Sequence, residues 1–166
     1  LLWFGGVGTY IKAPNENHIE VGDPSNDKIR VDAKQLQVKV IGEGANLGIT
    51  QAGRICFSAQ GGRINTDFID NSAGVDCSDN EVNIKIALNA AMKNSRLKFE
   101  ARNKLLETMT KDVGTLVLED NRLQALGLSI AEIGGKKTLP SYIRLIEFFE
   151  ERGNLDRAVE GIAANE

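Results

Sequence analysis

Three short apolar runs, Leu1 to Phe4, Val38 to Ile41 and Ile64 to Ile69, each break off into glycines or small polar residues. Runs of that length bounded by turn formers read as buried strands. Between the second and third lies Thr50 to Gln60, followed by Gly61-Gly62. Thr50 can accept a bond from the first free N–H groups of a helix, and the glycines can end it. Ile55 and Ala59, four residues apart, are expected to face the sheet. Residues 38–69 therefore read strand, helix, strand, a βαβ unit with parallel strands. Residues 13–37, with Pro14, Gly22 and Pro24, form a longer polar connection, and a short helix is expected near Ala33 to Gln37.

After residue 78 the period changes. Ser78-Asp79-Asn80-Glu81 fits a capping box, with Ser78 at the cap and Glu81 three residues on. Val82, Ile84, Ile86, Ala87, Leu88, Ala91 and Met92 give the following helix a broad apolar face, so burial is expected. A second helix is predicted from about Leu97 to Asn121, weakened by Gly114. A third covers roughly 122–133, and a fourth runs from Pro140 to Gly153 with Tyr142, Leu145, Ile146 and Phe149 inward. Residues 154–166 are expected to add one more turn.

Eleven of the seventeen glycines fall in residues 1–80, so the first half carries the tight turns. The expected class is α/β, part of a Rossmann-like doubly wound parallel sheet followed by an α-helical C-terminal region. Residues 1–96 form the sheet-bearing part and 97–166 the helical extension. With 166 residues, 42% of them hydrophobic, the chain can bury a real core. A net charge of −3 and a pI near 5.3 argue against nucleic acid as a partner. No apolar run approaches the roughly 18 residues of a membrane span. Two cysteines, Cys56 and Cys77, build neither a disulfide framework nor a zinc cage, and the expected location is cytoplasmic. The opening Leu1-Leu2-Trp3-Phe4 lacks a Met and a basic leader, so a fragment of a longer chain is expected.

In open parallel sheets ligands bind beyond the carboxyl ends of the strands. The three runs end in Gly5-Gly6-Val7-Gly8-Thr9, Gly42-Glu43-Gly44-Ala45-Asn46 and Asp70-Asn71-Ser72-Ala73-Gly74. Each end is small enough for a planar ligand to approach the backbone, and each offers amides or hydroxyls. The full GxGxxG fingerprint is absent, and so is a P-loop. The acids Asp67, Asp70, Asp76, Asp79 and Glu81 match no calcium loop, so no metal site is expected. His18 lies in a polar loop without a partner of catalytic type, and Cys77 lacks a nearby base.

These residues carry a resemblance. Gly42-Glu43-Gly44-Ala45-Asn46 with Ile49-Thr50-Gln51-Ala52 resembles the EGAN segment of glutamate dehydrogenases. Asn71 to Ser78, with Glu81 beyond, resembles their NAGGVTVSYFE segment. Leu2 to Lys12 and Asp70 to Ile86 are similar to the large bacterial NAD-specific members, strongly over residues 1–90 and less specifically over 91–160.

The resemblance implies NAD as cofactor, with Gly44, Ala45 and Asn46 beside its nicotinamide end and Gly5, Gly6 and Gly8 along the edge facing it. It implies that Asn71 bonds the nicotinamide ribose or the substrate, and that Ser78 meets the distal carboxylate of glutamate or 2-oxoglutarate. Ala73, Asp76, Cys77 and Asp79 depart from the family pattern. The catalytic lysine and aspartate of the family have no counterpart here, so the stretch alone is expected to be inactive, and the parent to be a homo-oligomer. The alternatives are a non-catalytic nucleotide-binding or regulatory α/β module and a structural helical domain.

Overall fold

The computed structural model describes residues 1–162. Strand β1 (Leu2–Phe4) pairs in parallel with β4 (Ile41–Glu43), Trp3 lying opposite Gly42 and Phe4 opposite Glu43. On the other side of β4 a single parallel bridge joins Val40 to Arg63, with the Ile41 N–H donating to the Arg63 carbonyl at 2.9 Å. A second small parallel sheet joins β2 (Ile11–Lys12) to β3 (Val31–Asp32), and Ile11 bridges onward to Ile49. Between β2 and β3 lies α1 (His18–Val21), which opens on a capping box between Asn17 and Glu20. A short 3-10 turn over Ala33–Gln35 occupies the place where a short helix is expected.

Helix α2 (Gln51–Ala59) starts where Thr50 predicts, its Oγ accepting from the Gly53 N–H at 3.0 Å, and stops before Gly61 in the left-handed conformation. The expected inward face is wrong, since Ile55 is 63% exposed and Gly53, Arg54 and Phe57 turn inward instead. A Cβ at residue 53 would stand 3.2 Å from the Lys12 backbone, so the helix rests directly on β2 through its glycine, and this rotation sends Ile55 outward. The core is built from Ile11, Ala33, Ile41, Ile49 and Phe57.

The third expected strand is also corrected. Only Arg63 pairs, and α3 (Asp67–Asp70) follows Thr66. Ile64, Phe68 and Ile69 have helical as well as strand-like spacing, and the acids flanking them find backbone partners that a strand would not offer. Helix α4 (Ser72–Lys93) begins six residues before the expected cap, so Ser78 lies within it and donates to the Gly74 carbonyl at 3.0 Å, while Glu81 pairs with Lys85. Expected burial of α4 does not hold either, since it contributes no fully buried residue and Ile86 stays exposed. An apolar face that broad needs neighbours on several sides. A Ser72–Asn121 side-chain hydrogen bond of 3.0 Å ties its first turn to α5 (Phe99–Gly134), one continuous helix in which neither Gly114 nor residue 122 makes a break.

The chain divides into two compact units, Leu1–Arg122 and Leu123 onward. The second holds the end of α5, then α6 (Leu139–Glu151), with Pro140 in its first turn, and α7 (Arg157–Glu160). Tyr142, Leu145 and Phe149 stay more exposed than expected. Arg157 pairs with Glu150 at 2.7 Å, and Arg152 caps the Phe148 ring. No helix among the described residues is long and apolar enough to cross a membrane.

Candidate functional site at the strand tips

The three chain segments expected to converge do meet. Thr9, 4% exposed, is the first link. Its N–H donates to Asp23 Oδ2 at 2.8 Å, its carbonyl accepts from Arg30 Nε at 2.8 Å, and its hydroxyl donates to the Leu47 carbonyl at 2.7 Å. The Tyr10 N–H adds a bond to the Gly48 carbonyl, so the first tip is sewn to the second. From the third segment, Asp67 accepts the Leu47 N–H and Asp70 the Glu43 N–H, both at 2.9 Å. Asn71 completes the junction, its Nδ2 donating to the Ala45 carbonyl at 3.1 Å and to the Asn46 side-chain oxygen.

Sequence reasoning missed the centre of this arrangement. Glu43 is 0% exposed, and its two carboxylate oxygens are divided between the Gly48 N–H and Arg54. Arg54 reaches on to the Asn65 carbonyl at 2.9 Å. A buried carboxylate needs such partners to keep its charge. The residue pattern gives no sign of it, since Arg54 turns inward only through the seating of Gly53 on the Lys12 backbone and not on the face that Ile55 and Ala59 mark.

Each predicted site residue has a definite place. Gly5 and Gly6 are exposed, and nothing stands within 4 Å of a Cβ built on Gly6. Gly8 has φ +123° and packs against Tyr10 and Asn26, so backbone geometry alone accounts for its glycine. Gly44 is a case of close approach, since a Cβ there would lie 2.9 Å from the Trp3 indole, which also covers Gly42. Ala45 is buried, and Asn46 is exposed beside half-buried Asn71. Ser78 lies about two turns into α4, seven residues beyond Asn71, which precedes the helix. Between them Gly74 and Val75 are exposed, and a Cβ on Gly74 would meet nothing.

A planar amide-bearing ring with a ribose needs open backbone beside unused donors and acceptors. Gly74, whose N–H donates to the Asn71 carbonyl, supplies the open backbone. Hydrogen bonding between Asn71 and Asn46 uses one donor and one acceptor, leaving the Asn71 oxygen and the Asn46 NH2 without a partner among the described residues. The residues therefore fit such a ligand. The Thr9 N–H, with help from Asn26 and Arg30, holds the Asp23 carboxyl below the ordinary aspartate range, so the anchor of the first tip is ionised at neutral pH.

Parallel pairing of β1 with β4, with glycines and amides gathered where the tips meet, makes this a parallel α/β unit. The sequence matches the bacterial NAD-glutamate dehydrogenase catalytic domain over residues 1–131. Over its full length it is 50% identical to the NAD-specific glutamate dehydrogenase of Pseudomonas aeruginosa and 46% identical to that of Halomonas elongata. It is 46% identical over 98% of its length to that of Mycobacterium tuberculosis. The chain belongs to the bacterial NAD-glutamate dehydrogenase family. It spans about a tenth of the length of these relatives. All three are named as dehydrogenases, which disfavours the alternative of a non-catalytic module.

Proposed function

We propose that this stretch is the nicotinamide-proximal half of the dinucleotide-binding domain, residues 1–96, with a helical extension over 97–166, within an NAD-dependent glutamate dehydrogenase. The whole protein would deaminate L-glutamate oxidatively to 2-oxoglutarate and ammonia. NAD, when bound, supplies the redox chemistry by accepting the electron pair that leaves the substrate carbon. The paired strands β1 and β4 and the bridge at Arg63 would belong to a doubly wound parallel sheet whose other strands come from elsewhere in the protein. The catalytic lysine and aspartate would also lie elsewhere, so this stretch alone would not turn over. The protein would work in the cytoplasm as a homo-oligomer.

Within that frame Asn46 and Asn71 hold each other and present their remaining amide atoms to the nicotinamide end and its ribose. Ala45 closes the tip behind them, Gly5 and Gly6 leave the neighbouring backbone open, and Gly8 and Gly44 shape the turns beside it. Ser78, on the open face of α4 beyond Gly74, would turn its hydroxyl proton from the Gly74 carbonyl to the distal carboxylate of the substrate. Asp76 and Asp79 flank it and restrict how an anion approaches. The observation that carries the reading is the meeting of Ala45, Asn46 and Asn71 at one edge, with amide atoms to spare. The test is NAD binding by calorimetry to the full-length protein with Asn46→Ala or Asn71→Ala. Both are expected to weaken NAD binding by about tenfold or more, and unchanged affinity in both would refute the cofactor role.

A further inference from the structure

We propose that Arg54 is a positioning residue for the cofactor loop, acting through Glu43 rather than by touching the ligand. The proposal deepens the reading above and rests on it for the identity of the ligand.

Residues 43 and 48 bracket the tip that carries Gly44, Ala45 and Asn46. One side chain closes this bracket, because one Glu43 oxygen accepts the Gly48 N–H. The other oxygen is held by Arg54 Nη2, while Arg54 Nη1 donates to the Asn65 carbonyl at 2.9 Å. Arg54 is 4% exposed and Glu43 fully buried, so neither can fall back on bulk water. The planar guanidinium therefore fixes which way the carboxylate faces, and the carboxylate fixes the loop. Its second arm reaches the segment leading to Asp67, Asp70 and Asn71, the residues that grip the same loop from the other side. One side chain thus sets both walls of the tip. A lysine would keep the charge beside Glu43 but has no fork to span both acceptors. A methionine would fill the space and leave the carboxylate buried without its partner.

The test uses the full-length enzyme with Arg54→Met, Arg54→Lys and, as a reference, Asn46→Ala. Hydrogen exchange of the peptide covering residues 43–50 reads the loop without any ligand. Calorimetry reads NAD affinity, and kinetics separate the KM for NAD from the KM for glutamate. Arg54→Met is expected to speed exchange of the loop amides and weaken NAD binding by about tenfold or more, with the KM for glutamate within about twofold. Arg54→Lys should fall between Arg54→Met and wild type on both readouts.

Wild-type loop exchange and NAD affinity in folded Arg54→Met would overturn the proposal. So would equal losses toward NAD and glutamate with the loop still protected, since that marks general destabilisation. If Arg54→Met does not fold, Arg54→Lys decides, and wild-type exchange and NAD affinity there overturn the proposal equally. If the loop loosens but NAD affinity holds in both Arg54→Met and Asn46→Ala, the proposal falls because the underlying cofactor reading has failed, not the link from Arg54 to the loop.

Discussion

Asn71, the residue between α3 and α4, donates through its Nδ2 to two acceptors on a neighbouring tip, the side-chain oxygen of Asn46 and the carbonyl of Ala45. The geometry makes Asn71 a donor at this junction. Changing it to Ala removes both bonds and an amide oxygen that faces the proposed ligand. Changing it to Asp sets a carboxylate against two oxygen acceptors, which repels them. In the full-length enzyme, Asn71→Ala is expected to lower kcat/KM by about tenfold, close to 1.4 kcal/mol of transition-state stabilisation. Asn71→Asp should lower it further. Equal activity in Asp and Ala variants would show that the donor role is unimportant.

Ser78 offers a cleaner separation of structure from function than an N-terminal cap would. Its hydroxyl donates only to the carbonyl one turn back, on an exposed face. Ser78→Ala should therefore shift stability by about 0.5 kcal/mol or less. It should raise the KM for glutamate more than the KM for NAD. Parallel changes in both constants, measured by steady-state kinetics, would remove Ser78 from the substrate site.

Much of the first unit was legible because local chemistry and tertiary structure agree there. Thr50 caps α2 as its hydroxyl predicts, and the chain before and after α2 runs parallel at the Val40–Arg63 bridge, although the strand expected over residues 38–41 forms over Ile41–Glu43 instead. The failures have a common cause. Ile64 to Ile69 looked like a strand because apolar residues cluster there, but Asp67 and Asp70 are taken up by backbone N–H groups of the second tip. Ser78-Asp79-Asn80-Glu81 has the residues of a cap, yet α4 starts at Ser72 through mostly weak helix formers, its start tied down by the Asn71–Ala45 and Ser72–Asn121 hydrogen bonds. Rotation of α2 depends on Gly53 meeting the backbone of Lys12, a contact between residues 41 positions apart. The Glu43–Arg54 pair could not be read from either residue alone, because each sits in a segment whose local pattern is satisfied without the other. Convergence of the tips was legible, but the hydrogen bonds that enforce it were not.

Trp3 and Gly44 should behave as a coupled pair. A methyl group at residue 44 would stand 2.9 Å from the indole and 3.4 Å from the Phe4 carbonyl oxygen. Gly44→Ala is expected to cost about 1–3 kcal/mol through overpacking. In a background of Trp3→Ala the same change should cost less, giving a coupling of about 0.5 kcal/mol or more in a double-mutant cycle. Urea unfolding followed by circular dichroism measures it, and strictly additive costs would mean that the indole does not lie over Gly44.

Asp23 gives the first tip a defined acid response. Its carboxyl is held below the ordinary aspartate value of 3.8, chiefly by the Thr9 N–H. The unfolded chain thus binds the proton more tightly than the folded one, and the stabilisation is full above the ordinary value. It is lost as pH falls through the lower, folded value. Carboxyl NMR titration of the 166-residue chain should place the Asp23 midpoint below 3.8. Asp23→Asn should leave the Thr9 amide less protected from exchange at neutral pH. A midpoint at or above 3.8 would contradict the anchoring role.

The most direct measurement is a structure of the full-length protein with NAD bound. The account predicts the nicotinamide end at the junction of Ala45, Asn46 and Asn71, with an amide atom of Asn46 or Asn71 within about 3.2 Å of the carboxamide or the adjoining ribose. Density for that end of NAD on a different set of residues, with both asparagines facing solvent or protein, would contradict it.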